Sequence, residues 1–266
     1  ADINNRLVLS WSDKWDATYY KGGVPFKWAS TEANLSTSQK LWLQKNTTGA
    51  DEGATKGQNR LNYIRGDRTM DGSDTTGYTT AKPFRERLSR QGDIINSDVW
   101  YTGAPSSNYA LRGYADFTRN NKSRPSLLYV GGNDGMLHGF AAKDGAEKIA
   151  YVPKGVLPNL TLLTDPQYNE KHKSFVDGSP MTGDVDMGAG IQDPSEPGYS
   201  TTYAANWRTL LVGTLGAGGK GYFVLDVTNP GTTAPAAGNF TESNAQTLVV
   251  MDKTRQASET VTSQAV

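Results

Sequence analysis

Hydrophobic and polar positions divide the chain into an irregular N-terminal third and a longer region of short alternating runs. In the first part, the apolar stretches 7–11 and 24–28 have strand character. Pro25 confines the second stretch to an edge strand or to the start of a strand, because proline cannot donate to a sheet ladder. These two stretches are therefore predicted as edge strands.

Helical spacing is present in only two segments of the N-terminal third. Residues 36–45 and 58–64 place apolar side chains on one face of a helix. Ser36 can cap the first helix, because Gln39 follows it at the spacing of a capping box. We therefore predict two short helices, followed at 70–80 by a loop rich in Gly, Ser, Thr and Asp.

From residue 92 onward the pattern becomes one of strands and turns, and it repeats. Segment 92–101 resembles segment 175–182 at an offset of 81 residues. Segment 127–131 resembles segment 209–213 at an offset of 82. Two independent pairs that share nearly one offset indicate two copies of one structural unit.

Each copy contains four short runs of strand character separated by turn residues, which is typical of a β-propeller blade. We predict a mainly β fold: a partial β-propeller of about two four-stranded blades, preceded by a segment with short helices. The predicted strands are 93–102, 126–132, 136–142 and 147–152 in the first copy, and 175–186, 208–213, 220–227 and 246–252 in the second.

Blades usually need about 40–50 residues, so this repeat must contain long inserts. We expect inserts at 106–124, 153–174, 189–206 and 231–244, whose exposed Tyr, Asn and Arg would supply contact surfaces. Two blades cannot close a ring, so the remaining blades of the same protein or a partner chain are expected to complete it. The predicted division is an N-terminal segment at 1–91, a blade at 92–153, an insert at 154–174, a second blade at 175–252 and a tail at 253–266.

Charge and cysteine content exclude several classes of function. The 27 basic and 27 acidic residues cancel, so the sequence predicts no nucleic-acid partner. There is no cysteine, which excludes disulfides and thiolate metal sites in this chain. No apolar run approaches the roughly 20 residues of a membrane helix, so no transmembrane segment is predicted.

The glycine-rich segment 216–221 fits the G-x-G-x-x-G pattern of dinucleotide-binding loops. That chemistry needs a helix after the glycines, so that its free N–H groups hold a pyrophosphate. The residues that follow, 222–227, are instead aromatic and β-branched and predict a strand. We interpret the segment as a hairpin and predict no cofactor-binding residue.

The candidate acid–base residues are few. His138 is predicted to be a packed strand residue and His172 a solvated loop residue, and neither has partners at catalytic or metal-binding spacing. Asp184 and Asp186 lie on one side of a strand and could in principle form a glycosidase pair or a calcium pair. Such a pair more often lies in solvent at the end of a strand and has no catalytic or metal-binding role. The sequence thus predicts no catalytic residue and no metal ligand.

Arg65, Gly66 and Asp67 form an integrin-type tripeptide. Binding to an integrin would require an exposed loop from which both charges project. The alternative is that Gly66 ends the second helix while the charged neighbours make local hydrogen bonds. We favour this structural role and keep integrin binding as the alternative.

Several segments resemble the C-terminal domain of the PilC/PilY family of type IV pilus tip adhesins and biogenesis factors. They follow the order of that family between about residues 20 and 230. The matching segments are VPFKW at 24–28, LNYIRGDR at 61–68, GDIINS at 92–97, YVGGNDGMLHGF at 129–140 with the preceding 124–128, AYVP at 150–153, FVDGSP at 175–180 and LVGTLGAGGKG at 211–221.

The resemblance implies a quinoprotein-like propeller that is extracellular, at the pilus tip or the outer-membrane surface of a Gram-negative bacterium. It implies a non-enzymatic role in pilus biogenesis and host attachment, with minor pilins and a host-cell receptor or surface as partners. Family members often carry a calcium loop of the form D-x-D-x-D-G. No stretch of this chain matches it, so calcium is expected only elsewhere in the full-length protein.

Two alternatives stay open from the sequence. One is a propeller enzyme, either a quinoprotein-like dehydrogenase or a glycosidase. A quinoprotein would need calcium and a carboxylate base near the ring axis, which the sequence does not supply. The other alternative is a purely structural propeller fragment that holds its neighbours and contacts no ligand.

Overall fold

The computed structural model describes residues 3–15, 20–188, 195–199, 201–231 and 238–256. Within these ranges the chain forms one six-stranded and one four-stranded sheet, and none of the helices is long and apolar enough to span a bilayer. The strands are β1 Val8–Trp15, β2 Tyr20–Pro25, β3 Trp100–Thr102, β4 Leu127–Gly131, β5 Leu137–Ala141, β6 Glu147–Val152, β7 Met181–Asp186, β8 Trp207–Thr214, β9 Tyr222–Asp226 and β10 Val249–Asp252. The α-helices are α1 Thr37–Gln44, α2 Gly53–Ile64, α3 Tyr114–Asn120 and α4 Ala245–Leu248.

The first sheet contains the four strands predicted for the first copy of the repeat and two more. Strands β3 to β6 pair antiparallel in chain order. β1 then lies parallel to β6, and β2 forms the outer edge. The hydroxyl of Ser10 donates to the carbonyl oxygen of Val152 across this junction, at 2.8 Å. The sheet therefore has six strands rather than four, because the N-terminal hairpin joins it.

The second sheet has the four predicted strands in the order β10-β9-β8-β7. Its first strand begins at Met181, six residues later than the predicted 175–186, because Pro180 has no N–H to donate to a ladder. The mainly β prediction with two repeated four-stranded units is confirmed. The two sheets are not closed into a ring.

The predicted capping box is present in the first helix. The Gln39 backbone N–H donates to the Ser36 hydroxyl at 3.2 Å, and the Ser36 N–H donates to Oε1 of Gln39 at 3.0 Å. The second helix begins at Gly53 rather than at residue 58. Its first turn, residues 53–56, has no large apolar side chain, so it lacks the apolar spacing from which the helix was predicted.

Insert 153–174 was expected to be an exposed contact surface, and this prediction is wrong for its first half. A 3₁₀ helix, Lys154–Thr164, fills that half and buries Val156, Leu157, Leu160 and Leu163 in the main core. It packs against α1 and α2. This half of the insert therefore joins the N-terminal helices to the sheets instead of offering a free surface.

The two sheets pack against each other through aligned faces. The Tyr151 ring lies 4.9 Å from the Phe223 ring, and the Tyr151 hydroxyl donates to Oδ2 of Asp252 at 2.6 Å. Tyr129 and Leu211, which the repeat aligns at the offset of 82, are buried on the same faces. Burial of these side chains makes the two copies one packed unit.

The N-terminal hairpin also contacts the second sheet. Gly23 of β2 lies so close to the Ala245 carbonyl that a side chain at this position would collide with it. Lys27, just after β2, forms an ion pair at 2.6 Å with Glu242, just before α4, and both β1 and β2 contact β10. The hairpin thus covers the outer edge of β6 and bridges both sheets, which protects an edge that could otherwise pair with another chain.

Candidate functional site

The edge strands β3 and β7, with the segments that precede them, meet along a seam of hydrogen bonds between positions that the repeat aligns with each other. The Asn96 amide donates to the buried Asp177 carboxylate at 2.7 Å. The other two bonds, each 2.9 Å long, run from the Asp98 N–H to the Ser179 hydroxyl and from the Trp100 indole N–H to the Thr182 hydroxyl. The partners are 81, 81 and 82 residues apart, so the sequence repeat is also a spatial repeat.

Beside this seam, the insert 106–124 folds onto the second sheet. It contains the helix α3, which the sequence analysis did not predict. Gly113 precedes this helix with a φ of 77°, and the Tyr114 hydroxyl donates to Oδ2 of Asp184 on β7 at 2.7 Å. The insert is therefore attached to a strand of the scaffold rather than extending freely from it.

An aromatic cluster joins the insert 106–124 to the start of strand β8. The Trp207 ring is stacked on Tyr109, with ring centroids 5.6 Å apart and planes inclined by 23°. Tyr114 meets Trp207 edge-on at 4.8 Å, and Phe117 packs behind them. The indole N–H of Trp207 donates to the Arg112 carbonyl at 2.9 Å. Trp207 thus holds the loop before α3 by packing and by a hydrogen bond.

Arg112 connects this loop to the other insert. Its guanidinium donates to the carbonyl oxygens of Thr201 and Tyr203, each at 3.3 Å. We call the exposed run 106–112 together with Tyr199 the insert surface. It brings Tyr and Arg together on a rigid support, and these are residue types enriched at the energetic centres of protein interfaces.

The four predicted inserts lie in different parts of the structure. Inserts 106–124 and 189–206 meet at the insert surface, although 189–194 and 200 lie outside the described residues. The first half of insert 153–174 is packed into the core, whereas residues 169–172 are exposed. Residues 232–237 of insert 231–244 and residues 257–266 of the tail also lie outside the described residues.

The integrin-type tripeptide lies at the end of α2. The Gly66 N–H donates to the Tyr63 carbonyl at 2.8 Å, and the Asp67 N–H donates to the Asn62 carbonyl at 2.9 Å. Gly66 has a φ of 104°, so these contacts form a Schellman motif that closes the helix. The predicted role of Gly66 in ending the helix agrees with this geometry.

Arg65 does not project from the surface as an integrin ligand would require. Its side chain is 2% exposed, and burial lowers the pKa of its guanidinium from the usual value. The guanidinium donates to three main-chain carbonyl oxygens, while the Asp67 carboxylate accepts from the backbone of Thr69. The three oxygens belong to Ile3, Arg6 and Phe26.

His138 lies in a buried charged cluster that sequence reasoning missed. Its Nδ1 is 2.8 Å from Glu147, and its Nε2 is 3.1 Å from both oxygens of Asp134. Arg6 binds Glu147 through two nitrogens, at 2.5 and 2.8 Å. Burial opposes the charged imidazole, but the two carboxylates outweigh it and raise the pKa of His138 to about 9. Burial likewise opposes ionisation of Glu147, yet hydrogen bonds from Arg6 and His138 lower its pKa to about 2.

The other candidate acid–base residues are separate from this cluster. His172 is exposed and lies 3.1 Å from Asp93. Asp184 accepts from Tyr114 and Thr209, and Asp186 accepts from two backbone N–H groups. In the part of the chain that the structure describes, no three His, Asp or Glu side chains are placed to hold a metal ion.

The glycine-rich segment forms a short 3₁₀ turn, Gly216–Gly218, and leads into β9. The element directly after these glycines is the strand β9 and not a helix, so the interpretation as a hairpin agrees with the structure. Gly216 and Gly218 also approach the backbone of residues 175–178 too closely for a side chain. This close packing explains why positions 216 and 218 are glycines.

Comparisons with known proteins identify the family. The model of the PilY1 beta-propeller domain matches residues 91–247. The type IV pilus biogenesis factor PilY1 of Pseudomonas aeruginosa strain PAK is 38% identical over 218 residues, which cover 77% of this chain and 16% of that protein. A PilY1 homolog of Xylella fastidiosa strain Temecula1 is 37% identical over 205 residues, covering 74% of this chain and 15% of that protein.

Among solved structures, the crystal structure of the P. aeruginosa PilY1 C-terminal domain is 34% identical and covers 49% of this chain and 23% of that chain, with a TM-score of 0.32. The chain spans about one sixth of the length of the curated relatives that it matches. The family match includes the strands β3 to β9 and the insert 106–124. The chain belongs to the PilY1 β-propeller domain family.

Proposed function

We propose that this chain is a non-enzymatic binding and assembly module of a type IV pilus biogenesis factor. The match of residues 91–247 to the PilY1 propeller domain carries this proposal. The curated relatives named above support it, because each is named for type IV pilus biogenesis. In this role the two sheets are a rigid scaffold and the insert surface is the contact region.

The partners proposed for the module are minor pilins of the pilus and a host-cell receptor or surface. A third partner is the set of remaining propeller blades. The outward face of the second sheet supports this, since it exposes Met181, Val185, Val212 and Tyr222 in neighbouring register positions. The location that fits these partners is extracellular, at the pilus tip or the outer-membrane surface of a Gram-negative bacterium.

A non-enzymatic role is supported by the way the candidate acid–base groups are used. His138 is 1% exposed, and both of its ring nitrogens face carboxylates. The Asp184 and Asp186 carboxylates are committed to hydroxyl and backbone donors. We accordingly propose no cofactor in this chain, and calcium only in other parts of the full-length protein.

The function is tested by deleting the gene for the full-length protein in its own bacterium. We expect surface pili recovered by shearing and attachment to host cells both to fall, and the intact gene to restore them. Unchanged piliation and attachment in the deletion strain would overturn the proposal. Absorbance of a bound quinone in the purified full-length protein, or glycoside hydrolysis by it, would instead favour the enzyme alternative.

A further inference from the structure

We infer that a crevice between the segments 85–93 and 163–172 binds a carboxylate carried on a short apolar group. The crevice has a volume of about 350 Å³, which lies within the range of small-molecule sites. It is next to the end of α2, and its lining includes no residue of the insert surface. The inference therefore goes beyond the proposed function and concerns a different part of the molecule.

One wall of the crevice is the segment 85–93, which contains no helix or strand and is fixed at both ends by hydrogen bonds. The Arg85 backbone N–H donates to the Thr164 carbonyl at 3.0 Å. The Gly92 N–H donates to Oδ2 of Asp134, also at 3.0 Å. These contacts form the crevice from groups of the protein alone, so it is present before a ligand binds.

The floor of the crevice is apolar. Ile64, Leu163 and Tyr168 line it, and each is no more than 4% exposed. All three side chains belong to the main core, which holds them in place. A short aliphatic or aromatic group that covers this floor is removed from water, which favours binding.

Two arginines that line the crevice are held in place but keep free donors. Cζ of Arg85 lies 4.6 Å from the centre of the Tyr168 ring, and its Nη1 donates to Oδ1 of Asn169 at 3.1 Å. Nε of Arg90 donates to the Gly66 carbonyl at 2.9 Å. Among the described residues, Nη2 of Arg85 and both Nη atoms of Arg90 have no hydrogen-bond or ion-pair partner. A guanidinium with free N–H groups matches the planar, two-oxygen geometry of a carboxylate.

The acidic residues that line the crevice already accept hydrogen bonds from the protein: Asp74, Glu86, Asp93 and Asp134. Asp134 also pairs with His138 at 3.1 Å. A cationic ligand would therefore have to displace an existing donor, whereas an anionic one meets free guanidinium nitrogens. The negative charge of the same carboxylates opposes a doubly charged phosphate more than a carboxylate with a single charge. The charges of the lining thus select a monocarboxylate.

The test uses the purified full-length protein and N-acetyl-photoleucine, a diazirine analogue of N-acetyl-leucine with a free carboxylate. The matched control is the amide of this probe, which has the same apolar group and no charge. After irradiation, we expect mass spectrometry to find the acid attached to segment 85–93 or 163–172. The amide should label these segments at least about tenfold less. Equal labelling by the acid and the amide, or labelling by the acid only elsewhere, would overturn the inference.

Substitutions give the second measurement. Arg85→Gln and Arg90→Gln together should lower the affinity for N-acetyl-leucine, measured by titration calorimetry, at least about tenfold, because charge-assisted hydrogen bonds are lost. Arg119→Gln, on the exposed side of α3, should leave the affinity unchanged. An unchanged thermal midpoint shows that a variant is folded; if the double variant unfolds, Arg90→Gln alone gives the same comparison, since it loses one hydrogen bond to the protein. Undiminished affinity in the folded variant, or no binding by the wild type, would refute the inference.

The carboxylate can belong to a free small molecule or to the last residue of a polypeptide, and a five-residue peptide ending in leucine distinguishes these sources. A peptide that competes with the photoprobe supports a site for a polypeptide C-terminus. A peptide that does not compete supports a site for a free monocarboxylate. The outcome is independent of the proposed function, because the gene-deletion experiment measures pili and attachment, and its failure would leave binding of the probe unaffected.

Discussion

The buried cluster around His138 makes the stability of this protein depend on pH in a defined window. Burial alone would lower the pKa of His138, but Asp134 and Glu147 raise it to about 9, against an ordinary value of 6.5. Because the pKa of His138 is higher in the folded protein than in the unfolded chain, folding takes up a proton at pH values between these two pKa values. The stabilisation is therefore complete below pH 6.5 and is lost as the pH rises through about 9.

The size of the effect follows from the two pKa values. A pKa of about 9 against 6.5 corresponds to about 3 kcal/mol of unfolding free energy. His138→Gln removes the titrating group and leaves the carboxylates of Asp134 and Glu147 facing an uncharged amide. We expect the variant to be less stable than the wild type by about 3 kcal/mol near about pH 6, and by much less near about pH 9.5.

The assay is urea denaturation across this pH range, followed by the fluorescence of the six tryptophans. His172→Gln is the matched control, because that exposed histidine lies beside Asp93 and outside the buried cluster. The unfolding free energy of the His172→Gln variant should depend on pH in the same way as that of the wild type. A wild-type stability that stays flat between pH 6.5 and about 9, or the same slope in His138→Gln, would refute the reasoning.

Three further predictions concern stability and metal binding. Arg65→Ala should lower the unfolding free energy, measured in urea, by about 3 kcal/mol, because three buried carbonyls lose their donor. Asp67→Glu should change the unfolding free energy little. An Arg65→Ala variant as stable as the wild type would contradict the buried role of Arg65. Gly213→Ala should cost about 1–3 kcal/mol by collision with the Phe223 ring, whereas Gly183→Ala, which meets open space, should not. Millimolar calcium should move the thermal midpoint by less than about 1 °C; a larger rise would place a calcium site in this chain.

Local signals explain what the sequence predicted well. The capping box depends on Ser36 and Gln39, three residues apart, so it can be recognised without knowing the fold. The strands of both sheets were recognisable because the pattern occurs twice, and the second copy supports the first. The hairpin at 216–221 followed from the strand residues after its glycines.

Contacts between distant residues explain what could not be predicted. Ser10 and Val152 are 142 residues apart, and nothing near either one indicates that β1 will lie beside β6. The His138 cluster likewise combines Arg6 with a partner 141 residues away. A signal for the buried insert was present, however: the apolar positions of 156–163 are too dense for an exposed loop.

The insert surface was predicted only in outline. The sequence identified 106–124 and 189–206 as inserts, but the helix α3 within the first has only seven residues. Tyr114 and Trp207 meet only because the first insert folds back onto the end of the second sheet where β8 begins. The sequence could therefore indicate which segments carry contacts, but not that they form one surface.

The central claim is that the two repeated sheets pack as one unit through positions that the repeat aligns. A double-mutant cycle of Asn96→Ala and Asp177→Ala, measured by urea denaturation, tests it most directly. We predict a coupling energy of about 1.5–3 kcal/mol, because the Asn96 amide donates to a buried carboxylate 81 residues away. The control cycle of Asn96→Ala with Asp144→Ala, in an exposed turn, should give about zero. A coupling of about zero between Asn96 and Asp177 would contradict the packing on which the scaffold depends.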